Sequence, residues 1–177
     1  MIAHVGKIVN FIRKSILDSE TLSKLVDFKL PAMNQTRWNS QFLMITKFLN
    51  ALDKDSQIQN KLKAFEKHSK MSALEIKVLR EVVIILQPFT EATDEFQADY
   101  ESVGLVIPAY LDMKNKMSVT DSSCPIAGKI HYCADVADAL LKSLETRLSY
   151  VLSDTFYVLG KIPFIVLHRC FPSNPTI

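Results

Sequence analysis

The sequence predicts an all-α protein, and three observations carry that prediction. Apolar residues recur with a helical period through nearly the whole chain. Only 4 of its 177 residues are glycine, which argues against barrel, collagen-like and glycine-loop architectures. Hydrophobic residues at 48% and charged residues at 23% match ordinary globular usage, so disorder as the main state is excluded. The expected architecture is an irregular bundle of about five to seven helices.

Taken in order, Ile2, Val5, Val9, Ile12 and Ile16 fall on one face of a first helix. The first seventeen residues carry no acid, as in an amphipathic presequence, but with a single Arg and a single Ser they read better as a core-facing helix. Asp18 or Ser19 is expected to cap a short second helix with Leu22, Leu25, Val26 and Phe28. Pro31 then breaks the pattern at Leu30. Thr36 is the expected cap of a third helix, along which Trp38, Phe42, Ile45, Leu49 and Leu52 form an apolar seam. Residues 56–70 are lysine-rich with few anchors (Ile58, Leu62, Phe65), which predicts a surface helix.

Ser72 and Glu75 have the spacing of a capping box. They open the most apolar helix, with Leu74, Val78, Leu79, Val82, Ile85 and Leu86. Pro88 is expected to kink this helix without ending it, because Phe89, Ala92, Thr93 and Phe96 keep the period. A further helix is expected over Val103–Met117, with Pro108 blurring its start. Residues 120–128 read as a loop. A long helix is expected over Ile130–Leu152, with Val136, Leu140, Leu144, Leu148 and Val151 inward. Residues 156–177 are hydrophobic and broken by Gly160, Pro163, Pro172 and Pro175.

The net charge of +2 does not announce a nucleic-acid binder. It is unevenly spread, however: residues 1–88 carry 14 Lys and Arg against 8 Asp and Glu, a net of +6, and residues 89–177 carry 7 against 11, a net of −4. A basic first half can meet phosphates. Alternatively, Lys54, Lys61, Lys63, Lys67, Lys70 and Lys77 merely solvate exposed helix faces. Three cysteines without a CxxC spacing speak for a reducing compartment. No apolar run approaches the roughly 18–20 residues of a membrane span.

Chemistry has little purchase on these residues. His131-x-Cys133 and His168-x-Cys170 do not match a zinc spacing, so no metal site and no cofactor is expected. Glu91 and Glu95, in an acidic stretch with Asp94, Asp99 and Glu101, could share a helix face and hold a divalent cation; an exposed acidic face is the simpler account. GxSxG, HExxH, P-loop and Cys/His nucleophile patterns are all missing. The most unusual segment is Thr36-Arg37-Trp38-Asn39-Ser40, which sets the sole Trp beside a guanidinium at a helix start. Such a pair can stack on a base and hold a phosphate.

This segment, followed by Met44 and Leu49, resembles the TRWNS region of hAT-superfamily transposases and their domesticated BED-finger relatives. The resemblance continues through Leu79, Leu86-Gln87-Pro88-Phe89 and Ala92-Thr93, like the family's L…LxPFxxAT stretch, and Val106-Ile107-Pro108. It spans about Val5 to Leu159. In that family a ribonuclease-H-like core with an Asp-Asp-Glu triad is interrupted by a large helical insertion, whose Trp stacks against DNA at the transposon end. The resemblance therefore implies a helical transposase-like region over 1–159, a divergent hydrophobic tail over 160–177, and nuclear residence, with the cytoplasm as the other location. The triad would lie outside the matched stretch, so the expected protein is a catalytically inactive fragment.

Arg37, Trp38 and nearby Lys47 are the expected DNA contacts. Possible partners are DNA, a second copy or a related transposase-derived protein, with no membrane. The alternative function is a protein–protein dimerisation module without DNA contact. A residual nuclease built on the acidic stretch ranks last, because two-metal phosphoryl transfer needs the full carboxylate set.

Overall fold

The computed structural model describes residues 1–32, 38–97, 103–118 and 128–158. Within them the protein is all-α, with no strand. The helices are α1 (Ile2–Lys14), α2 (Ile16–Leu25), α3 (Trp38–Lys54), α4 (Ile58–Lys61), α5 (Lys63–His68), α6 (Ala73–Gln97), α7 (Val103–Met117) and α8 (Ala134–Leu148), with a 3-10 turn over Ser149–Leu152. The described residues thus hold more helices than the periodicity suggested. The chain divides into two compact units, Met1–Ile84 and Ile85–Ile177, and passes from one to the other within α6.

In the first unit, Val5, Ile8, Val9 and Ile12 line one stripe of α1 and are buried against Met44, Ile45, Phe48 and Leu49 of α3. Ile58, Leu62, Ala64 and Phe65 close the core from a third side, with the Phe48 and Phe65 rings 6.2 Å apart. The expected surface helix over 56–70 is therefore corrected twice. It is two short helices, because Leu62 adopts extended backbone between them, and its apolar residues belong to the core. A few anchors suffice when each is fully buried. The lysines of that stretch do point outward: Lys61, Lys63, Lys67 and Lys70 are all exposed.

The break at Leu62 has a distant cause. Asp18 is buried, and its carboxylate accepts the backbone N–H groups of Lys63 (3.1 Å) and Ala64 (2.9 Å). These donors have no partner within their own helix, so α5 is started by a residue of α2. Asp18 or Ser19 is the expected cap of α2, but Ser15 fills that role, its hydroxyl accepting the Asp18 N–H. Consequently α1 ends at Lys14, Ile16 is left exposed, and Val26 and Phe28 fall beyond α2. The expected Thr36 cap lies outside the described residues.

The Ser72–Glu75 capping box forms as its spacing predicts. The Glu75 N–H donates to the Ser72 hydroxyl (3.2 Å) and the Ser72 N–H to the Glu75 carboxylate (2.9 Å). Helix α6 then runs unbroken past Pro88. In the second unit Ile107, Ala109, Tyr110 and Met113 of α7 pack with Ala92, Leu144 and Val151. The helix expected over Ile130–Leu152 is shorter. It begins at Ala134, and at Ser149 it tightens into the 3-10 turn. Ala137, Leu144 and Val151 are buried, whereas Val136 is exposed, so the inward face is rotated by one position at its first turn. The loop over 120–127 and the tail from Leu159 lie outside the described residues.

Candidate nucleic-acid interface

Of the three residues singled out by the sequence, the two that are described, Trp38 and Lys47, do not lie together. Arg37 lies outside the described residues. Trp38 opens α3 and is 41% exposed, so the first rung of the expected seam is not buried, although Phe42, Ile45 and Leu49 are. Its ring meets that of Phe42 edge-on at 6.5 Å. The neighbouring Asn39 keeps a buried Oδ1 without a hydrogen-bond partner among the described residues. Lys47 is nine positions from Trp38, about two and a half turns, which sends the two side chains to opposite sides of α3.

Lys47 instead belongs to a cluster that sequence spacing does not reveal. Its ammonium sits 4.8 Å from the centroid of the Phe28 ring, and that of Lys54 sits 5.7 Å away. Both contacts have cation–π geometry. Lys54 also pairs with Asp27 at 3.1 Å. Phe28 in turn lines a cleft of about 210 Å³ with Ile12, Arg13, Ser19, Leu22, Ser23, Lys29 and Leu30. Arg13 fastens one wall by donating to the Leu30 carbonyl at 2.8 Å.

A second basic stripe runs along α1 and α5. Lys7, Phe11 and Lys14 are spaced four and three apart and share one side of α1. Lys67 lies over the Phe11 ring at 5.1 Å, and His68 meets that ring edge-on at 5.6 Å. His4 completes the junction: its Nε2 donates to the His68 carbonyl, and its Nδ1 lies 3.9 Å from the Glu75 carboxylate. Lys7, Lys14, Lys63 and Lys67 are exposed, and among the described residues none of them forms an ion pair.

Electrostatics sharpen the picture. Residues 85–88 are uncharged, so the net +6 of residues 1–88 belongs wholly to the first unit. Its acids are largely engaged internally. Asp18 caps α5 and Glu75 caps α6, Asp53 takes Arg80, and Asp55 takes Lys61 at 2.5 Å. The carboxyls of Asp53 and Asp55 are held below their usual range chiefly by hydrogen bonds from Arg80 and Lys61 respectively, and that of Glu75 by its Ser72 bonds. Uncommitted charge on this unit is therefore mostly positive.

In the described part of the acidic stretch, Glu91 is already engaged. Glu91 accepts from Gln87 (3.0 Å) and Lys116 (2.9 Å), which hold its carboxyl below the usual range. Asp99 and Glu101 lie outside the described residues, and among those described no group of three metal-binding side chains occurs. His131 is exposed and Cys133 buried, while Cys124, His168 and Cys170 lie outside the described residues. No described helix is long and apolar enough to cross a membrane. Compared with known proteins, the chain matches no family model, no curated protein and no solved structure.

Proposed function

We propose that this protein is a non-catalytic nucleic-acid-binding module derived from an hAT-type transposase, with its first unit making the contact and its residence in the nucleus. The TRWNS-like segment motivates the ancestry. The observation that carries binding is the surface of the first unit, where most of the acids are spent on helix caps and ion pairs while Lys7, Lys14, Lys63 and Lys67 stay exposed, without an ion pair among the described residues. A polyanion gains from such a surface by releasing its condensed counterions. Trp38 and the Phe28 cluster supply aromatic surface for unpaired bases.

The test is fluorescence anisotropy of a labelled duplex and a labelled single strand across a salt series. Binding that weakens linearly in log affinity against log salt supports the reading; no binding at about 50 mM salt, where electrostatic contacts are strong, rejects it.

Self-association is a second reading, favoured by apolar exposure in the other unit. Val136 is 50% exposed and Phe156 64%, and Phe156 forms an edge contact with Tyr157 at 5.6 Å. Exposed aromatic surface of this kind suits an interface. Sedimentation that stays monomeric across micromolar concentrations counts against it.

A further inference from the structure

The cleft between α1, α2 and the segment that follows α2 is built differently from the open basic surface. Two cations line it, Arg13 and Lys29, with two hydroxyl residues, Ser19 and Ser23, and no carboxylate. The nearby acids are turned to other work: Asp18 caps α5, Asp27 pairs with Lys54, and Glu20 lies off the side of α2 that carries Ser19, Leu22 and Ser23. Arg13 spends one donor on the Leu30 carbonyl, and a guanidinium has five. Lys29 is exposed and forms no ion pair among the described residues. Ile12, Leu22 and Leu30 form a buried floor, leaving the half-buried Phe28 as the aromatic wall.

Size narrows the occupant. At about 210 Å³ the cleft exceeds the roughly 150 Å³ that accommodates a benzene molecule in an engineered cavity. It can admit one planar ring, and a stacked base pair is too large for it. A flat apolar ring joined to an anion answers both halves of the lining.

We infer that this cleft binds a single unpaired nucleotide, its base against Phe28 and its phosphate between Arg13 and Lys29. The inference rests on the nucleic-acid reading only for the source of that nucleotide. It gives the protein a preference for strand ends and unpaired bases over intact duplex. Lys47, lying over the Phe28 ring, adds positive potential beside the aromatic wall.

The experiment titrates the isotope-labelled full chain with thymidine 5′-monophosphate, thymidine and inorganic phosphate, each followed through the backbone amides. The nucleotide is expected to shift Ser19, Ser23, Phe28 and Lys29 saturably, at least about tenfold more tightly than either half alone. Lys29→Ala is expected to weaken it by about fivefold or more, since a charge-assisted bond is lost, and Ser23→Phe to block it. Shifts confined to Lys7, Lys14, Lys63 and Lys67 would overturn the inference. Phosphate binding as well as the nucleotide, or an unchanged affinity in Lys29→Ala, would do the same. If the protein binds duplex but the nucleotide leaves the cleft unmoved, this inference fails alone. If the nucleotide occupies the cleft but no nucleic acid binds, the proposed function fails and the cleft assignment stands.

Discussion

The Asp18 carboxylate accepts the backbone N–H of Ala64 at 2.9 Å, across 46 residues of sequence. Through this bond and its partner to Lys63, a buried acid in α2 fixes where α5 begins and presents Lys63 and Lys67 at the surface beside α1. Core and basic surface are coupled by one side chain.

Asp18→Ala is therefore expected to destabilise the first unit by about 2–4 kcal/mol, because two N–H donors lose a charged acceptor. Asp18→Asn keeps one acceptor oxygen and is expected to cost roughly half as much. Urea denaturation of the three proteins measures both. Equal stability of wild type and Asp18→Ala would mean that water replaces the carboxylate without loss.

A pH dependence follows from the caps and pairs. Asp53, Asp55, Glu75 and Glu91 all have folded-state values lowered by hydrogen bonds. Depressed carboxyls contribute stability that is fully present above their unfolded values and is lost as pH falls through the folded ones. Melting temperature should hold above about pH 4.5, the ordinary value for Glu75 and Glu91, and fall below it. Glu75→Gln removes one of these titrating groups and should make that acid decline shallower. A steeper decline in the variant would reverse the assigned sign.

Trp38 and Lys47 offer a test of site separation. They leave opposite sides of α3, so their contributions to binding a single strand should add within about 0.5 kcal/mol. Trp38→Ala should cost about 1–3 kcal/mol if the ring stacks on a base. Its effect on stability should stay near or below about 1 kcal/mol, given an exposed ring with one edge contact. Strong coupling in the double variant would place both residues on one ligand.

The core makes the opposite demand. Phe65 is 2% exposed and packs on Phe48, so Phe65→Ala should cost about 3–5 kcal/mol. Phe156→Ala, at a 64% exposed ring, should cost far less. Thermal unfolding of the two variants ranks them, and the reverse order would contradict the packing described.

Local rules in the sequence carried much of this fold. The 3.6-residue period located α1, α3, α6 and α7, and the Ser72–Glu75 spacing announced its capping box. What sequence could not supply was contact across distance. Nothing near Leu62 signals a helix break, because its cause is Asp18. Composition made residues 56–70 look superficial, whereas four buried side chains tie that stretch into the core. The same limit applied to the site. Proximity in sequence grouped Lys47 with Trp38, and only the turn of α3 assigns it to Phe28. Arg13 and Lys29 meet at one cleft through the path of the chain after α2, which no spacing rule encodes. The charge asymmetry, by contrast, was legible from counting alone and coincides with the division into units.

We propose that exposed lysines of the first unit bind nucleic-acid phosphates. The most direct measurement compares wild type with a Lys7→Ala, Lys14→Ala, Lys63→Ala, Lys67→Ala variant on one duplex across a salt series. Each phosphate contact contributes about 0.9 to the slope of log affinity against log salt, so the variant, lacking four lysines, should show a slope shallower by about 3.6, with helicity unchanged. An identical slope in both proteins, or a wild type that binds no duplex at all, would contradict it.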